Sequence, residues 1–246
     1  MRDAWRHFAA EFIGIFALVF VGGASIMAAQ LSHNGNGLLV AAIAHGLIFA
    51  LMVTATMRIS GHLNPAVTIG FLVTRRLEPV MAVVYIIAQL MGATVAAYAL
   101  KGIFPAEIAA ATRLGGQSIA IDINTSQAVV CEMIATFFLM FVVFGTAVDP
   151  KAPRVGGFAI GLTLTANMLA IGPLTGGSMN PARSLGPAIV SGIFEGQLVY
   201  WIGPILGAIA AALLYDGLFL RRGREPRDHG AMQPTASTAT HVVTPH

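Results

Sequence analysis

Charge is scarce in this 246-residue sequence. Asp, Glu, Lys and Arg make up only 10% of it, against roughly 25% in a soluble domain, which argues against a water-solvated fold. Cysteine is nearly missing too: Cys131 alone excludes an internal disulfide and any cysteine-built metal cage. It reads as a small buried side chain. His7, His33, His229, His241 and His246 fall at termini or in loops without ligand spacing, so no metal or other cofactor is expected. No nucleophile–base pair stands out, and an enzyme is not expected. Positive charge is not gathered on any polar segment despite a pI near 9.4, which speaks against nucleic acid as a partner. A cleavable leader is not expected either. Glu11 interrupts the charged start, and the apolar run that follows is too long for an h-region.

What the chain does have is long uncharged runs. Hydrophobic residues reach 56%, and the mean hydropathy is +0.77. No acidic or basic residue occurs from Phe12 to Met57, Pro79 to Leu100, Met133 to Val148, Val155 to Ala182, or Gly196 to Tyr215. Six segments are long enough to span a bilayer, at about 8–29, 38–58, 79–100, 126–147, 156–173 and 197–220. Two further apolar pieces, Asn64–Thr74 and Asn180–Val190, have only 11 residues each. At 1.5 Å per residue they reach roughly 16 Å, about half the hydrocarbon thickness. They are expected to be re-entrant. Residues 221–246 are polar and read as a disordered cytoplasmic tail.

Basic residues set the orientation. With the N-terminus inside, the cytoplasmic side holds Arg2, Arg6, Arg58, Arg75, Arg76, Lys151, Arg154, Arg221, Arg222, Arg224 and Arg227, and the outside only Lys101, Arg113 and Arg183. Both termini are therefore expected in the cytoplasm, with the chain in a plasma (inner) membrane.

The halves repeat. Glu11-Phe-Ile-Gly-Ile-Phe-Ala-Leu-Val-Phe20 matches Glu132-Met-Ile-Ala-Thr-Phe-Phe-Leu-Met-Phe141, and Asn64-Pro65-Ala66 matches Asn180-Pro181-Ala182. Three spans and a half-length segment, repeated after an odd number of crossings, predict an inverted repeat. The expected units are 1–120 with half-helix 64–74, and 121–220 with half-helix 180–190. Asn-Pro-Ala is itself a helix start, since Asn suits the N-cap and Pro the first helical position. In an inverted repeat two such starts enter from opposite faces. Their positive ends meet near the midplane with two carboxamides beside them. Small residues four apart, Gly157/Gly161 and Gly203/Gly207, suit close helix packing.

Gly61-His-Leu-Asn-Pro-Ala-Val-Thr68 and Gly176-Gly-Ser-Met-Asn-Pro-Ala-Arg-Ser-Leu-Gly-Pro-Ala188 resemble the paired signature loops of the aquaporin (major intrinsic protein) family. The resemblance runs over roughly residues 5–220 and includes Glu11, Glu132, Tyr200 and Trp201. It implies an all-α membrane fold of six spans and two re-entrant half-helices. It also implies a homotetramer in the lipid bilayer, each protomer a passive pore for water and small neutral solutes. Converging dipoles would repel cations. Donors on Asn64 and Asn180 would break a proton wire. Backbone at Gly61-His62-Leu63 and Gly176-Gly177-Ser178 would offer carbonyls along the path. Glu11 and Glu132 would accept hydrogen bonds from the loop of their own half; a proton relay is the competing reading of such carboxylates.

Arg183 sits in the first turn of its half-helix, where a cation opposes the dipole. A snorkelling anchor is one account of it; by resemblance it is the arginine of an outer selectivity constriction. Ser184 stands where glycerol-conducting relatives carry Asp, and Ala188, Tyr200 and Trp201 match the water-channel branch. Alignment puts His45, Met168 and Gly177 at the other constriction positions, a set resembling plant vacuolar members. It implies a wider opening with His45 and Arg183 as donors, passing ammonia and hydrogen peroxide besides water. A glycerol- or urea-type facilitator and an ion-coupled transporter are the alternatives. The first loop, Ile59-Ser60-Gly61-His62, is one residue shorter than the family's common form.

Overall fold

The computed structural model describes residues 3–33, 35–153 and 155–220. The expected tail, 221–246, lies outside them. Nine α-helices run in chain order among the described residues: α1 (Ala4–Leu31), α2 (Gly37–Thr56), α3 (Pro65–Val73), α4 (Pro79–Ile103), α5 (Ala106–Ala111), α6 (Thr125–Val143), α7 (Gly156–Thr175), α8 (Pro181–Ser191) and α9 (Val199–Tyr215). A turn of π-helix prolongs α6 over Phe144–Val148 and α9 over Asp216–Leu220. Six of these helices are long and apolar enough to cross a membrane. The 9 residues of α3 and 11 of α8 are not.

Composition explains the packing. The spans are apolar nearly all round, so the outward faces are left to lipid: Leu51, Val83, Phe138, Phe158 and Leu162 are all more than half exposed. Inward faces are small. Gly157 and Gly161 of α7 lie against α2, where a Cβ at Gly157 would come within 2.7 Å of Ala50 O. Gly203 and Gly207 of α9 lie against α6 in the same way, next to Val129 O and Phe137 N. The pairs α2–α7, α6–α9 and α1–α4 therefore pack closely. Gly46 and Gly161 face each other directly across the α2–α7 crossing.

Sequence reading located the span centres but cut α1 short and stopped α7 early; the helices reach Ala4 and Thr175. It also missed α5 and the 3₁₀ turn Arg113–Gly115 that follows. Between them they bring the α4–α6 connection back over the end of α7, where Ala120 N donates to Leu174 O at 2.9 Å.

Candidate functional site

Both half-helices start the same way. Asn64 and Asn180 are extended N-caps, with Pro65 and Pro181 at the first helical position. Asn64 Oδ1 accepts from Ala66 N at 2.9 Å. Asn180 Oδ1 accepts from Ala182 N at 3.1 Å and Arg183 N at 3.2 Å. These bonds satisfy amides that would otherwise be orphaned inside the bilayer.

The amide nitrogens cross between the repeats. Asn64 Nδ2 donates to Met179 O at 2.8 Å, and Asn180 Nδ2 donates to Leu63 O, also at 2.8 Å. Leu63 and Met179 both take a left-handed backbone conformation, with φ of 50° and 53°. That conformation costs an L-residue roughly 1–2 kcal/mol. It turns each carbonyl toward the opposite asparagine.

Each turn is held from behind by a buried carboxylate. Glu11 accepts from His62 N at 2.8 Å and Leu63 N at 2.6 Å, and Gln89 Nε2 of α4 adds a third bond at 2.6 Å. Glu132 accepts from Ser178 N at 2.9 Å, Met179 N at 2.7 Å and Thr175 Oγ1 at 2.7 Å. Both carboxylates are fully buried. Non-helical backbone in the bilayer is tolerated only where such partners satisfy it.

The shortened first loop reaches its place through Gly61. Its φ is +86°, and a Cβ there would lie 2.9 Å from Met57 Cα, so glycine alone fits. Ser60, Gly61 and His62 line a cavity of about 150 Å³ together with Phe49, Val53 and Val67. The His62 ring packs on Phe71 at 4.2 Å and meets Tyr85 edge-on at 5.0 Å.

Beside the second half-helix start, Arg183 is almost wholly buried and its Nη2 lies 2.9 Å from His45 Nε2. His45 Nδ1 lies 2.7 Å from Ala41 O. A carbonyl can only accept, so Nδ1 carries the hydrogen and Nε2 is the acceptor facing arginine. This departs from the expectation that His45 offers a donor: its donor is committed to its own helix. Gly22 of α1 leaves the room this ring occupies.

Gly177 and Met168 meet as a second pair. Gly177 has φ +58°, and a Cβ on it would come within 3.2 Å of Met168 Cα. The missing side chain therefore makes room for the backbone of α7. Gly176 likewise gives way to Gln117, whose side chain would lie 2.8 Å from an added Cβ.

Gln117 is the residue that sequence reasoning overlooked. With its amide oxygen turned to the guanidinium, it accepts from both Arg183 Nη atoms, that from Nη2 at 3.3 Å, and its nitrogen donates to Ser184 Oγ at 2.8 Å. Arg183 Nε, buried, has no partner among the described residues. Ser184 in turn contacts Ser178 through their hydroxyls.

Six spans around two half-helices that join at paired Asn-Pro-Ala turns define the aquaporin-type membrane channel fold. A family model described as major intrinsic protein matches residues 1–215, and the chain belongs to that family. It is similar to Aquaporin TIP2-1 of Arabidopsis thaliana, with 42% identity over 224 residues, 87% of this chain and 88% of that protein. It is also similar to Aquaporin TIP4-4 of Zea mays, with 40% identity over 235 residues and 91% of each chain. Among solved structures it is similar to the aquaglyceroporin from Plasmodium falciparum, with a TM-score of 0.79, 24% identity, and coverage of 89% of this chain and 98% of that one. At that identity the likeness concerns the fold alone.

Proposed function

We propose that each protomer is a passive channel that conducts water, passes ammonia and hydrogen peroxide, and excludes protons and ions. The reciprocal junction of Asn64 and Asn180 carries this reading. One N–H of each carboxamide goes to the facing repeat, and the second is left for a permeating water oxygen. A water that accepts from both asparagines while two positive helix ends face it has no acceptor there for its own hydrogens, so a proton relay stops. Arg183 adds a fixed cation on the outer side, its Nε buried and unpartnered among the described residues. His45 holds that guanidinium in place, and the pair forms the polar wall of a constriction whose other wall is Met168 against Gly177. Such an opening suits molecules near water in size. Glycerol passes poorly in this reading, and Ser184, where glycerol conductors carry Asp, supports it.

An ion-coupled transporter is the weaker reading. It would need carboxylates facing a midplane cavity, whereas Glu11 and Glu132 are buried with both oxygens taken by loop amides. The family is one of channels, not of enzymes. Assembly as a homotetramer belongs to this proposal. The expected plasma membrane draws nothing from the relatives, so the placement that stands is an integral multi-pass membrane protein.

Stopped-flow shrinkage of proteoliposomes is expected to be fast with a low activation energy, while an internal pH dye reports no proton leak. Water flux equal to that of empty liposomes would overturn the assignment.

A further inference from the structure

Asn167 is the one amide side chain on α7, a span whose other polar side chains are threonines, and an amide there is costly unless satisfied. Its Nδ2 lies 2.8 Å from Ala135 O on α6 and 3.3 Å from Met179 Sδ. One amide thus ties α7 to a neighbouring helix and to the residue whose carbonyl receives Asn64. The fold does not require this tie. Gly46 and Gly161 face each other across the α2–α7 crossing, and six residues further along each helix stand Met52 and Asn167. The counterpart of Met179 at the midplane turn is Leu63. The first repeat therefore holds the equivalent place with two apolar residues, Met52 and Leu63.

The next residue differs as well, Val53 in the first repeat and Met168 in the second. Met168 follows Asn167, about 100° further round the helix, and belongs to the buried face that also carries Ile160 and Leu164. Its backbone already abuts Gly177, where a Cβ would lie 3.2 Å from Met168 Cα. A small rotation of α7 about its axis changes where the Met168 thioether lies beside that glycine. Anchoring Asn167 to two separate partners opposes that rotation.

We propose that Asn167 is a positioning residue for the outer constriction, holding α7 in the rotation that aims Met168. The proposal rests on the channel reading above. It assigns selectivity among solutes in part to a side chain that touches none of them.

The test is Asn167→Met, which copies the residue of the first repeat, reconstituted in liposomes. Water permeability and the reflection coefficients of formamide, urea and glycerol are measured on the same vesicles. Water permeability above that of empty liposomes is expected to persist. The solute-to-water ratio is expected to rise about threefold for the smallest solute excluded by wild type, the ratio equivalent of one interhelical hydrogen bond in a bilayer. A purely structural role lowers the number of working channels, scales all fluxes alike and leaves every reflection coefficient where it was. That result overturns the proposal. If Asn167→Met does not insert, Met179→Leu decides the matter, because it copies Leu63 and removes only the sulfur acceptor. A reflection coefficient shifted in the same direction supports the proposal, and an unchanged one overturns it. Wild-type water flux at the level of empty liposomes would instead bring down the channel reading itself.

Discussion

In the first repeat Glu11 holds the amides of His62 and Leu63, and in the second Glu132 holds those of Ser178 and Met179, at distances within about 0.1 Å of each other. The asparagine bonds across the midplane are both 2.8 Å. Three residues into each motif the likeness ends: Val67 stands in one half-helix and Arg183 in the other. Along the α2–α7 pair, counted from Gly46 and Gly161, His45 corresponds to Ile160 and Met168 to Val53. Val53, Gly61, Val67 and Ile160 line the inner cavity, apolar except for the backbone and the neighbouring Ser60 and His62. The outer set is His45, Met168, Gly177 and Arg183. The symmetric residues hold the frame, and of the residues proposed to select solutes three, His45, Met168 and Arg183, break the symmetry, while Gly177 matches Gly61. Conserving a frame and tuning a filter are thus separate tasks for the sequence.

Removing a frame residue should have the largest effect. Glu132→Leu leaves the amides of Ser178 and Met179 without an acceptor inside the bilayer, at roughly 1–3 kcal/mol for each buried group. Glu11→Leu does the same in the first repeat. Little folded protein is expected from either variant by size-exclusion chromatography in detergent, whereas Glu→Gln at the same places keeps one acceptor and part of the yield. Should one half tolerate the change and the other not, the two joints are unequal despite their matching geometry.

The next effect is on exclusion and not on folding. Arg183→Val makes the outer side resemble the inner one at Val67. A fixed charge about 6 Å from the path at an effective dielectric near 20 is worth on the order of a hundredfold in cation entry. Cation or proton leak is expected to rise toward that extent in liposomes, with water flux retained. Unchanged exclusion would place the whole barrier at the asparagines.

The smallest effect compares the two glycines. Gly61→Ala meets the Met57 backbone at 2.9 Å with φ +86°, and Gly177→Ala meets Met168 at 3.2 Å with φ +58°. Thermal stability should fall by about 1–2 kcal/mol for the strained φ in each case, with a further loss at Gly61, where the obstacle is closer. Equal shifts would show that the shortened first loop has room to relax.

The six spans and both half-helices were legible in the sequence because bilayer thickness and N-cap chemistry are local rules. Asn64, Asn180, Glu11 and Glu132 were legible through the repeat itself. Gln117 was not. It sits in a connection without periodicity, and its contact with Arg183 depends on how that connection folds back over α7. The tautomer of His45 was hidden for a related reason: it follows from Ala41 O lying 2.7 Å away, which alignment to a family position does not reveal. Leu63 and Met179 gave no sign of a left-handed conformation, since nothing in their residue types favours it. Asn167 carries no signal in the sequence beside the threonines of its span, because its partners lie on two other segments.

The crossed asparagine bonds also bear on biosynthesis. Their partners are 115 and 117 residues apart in the chain. At 5–20 residues per second, the ribosome needs roughly 6–23 s to make the second partner after the first. During that interval Leu63 O and Asn64 Nδ2 already exist while the groups that complete them do not. Backbone left open at that depth is not stable against lipid. The nascent first half must therefore keep its signature loop near water, or shielded by the insertion machinery, until Met179 and Asn180 have been made. Final entry of both half-helices becomes one late, joint event.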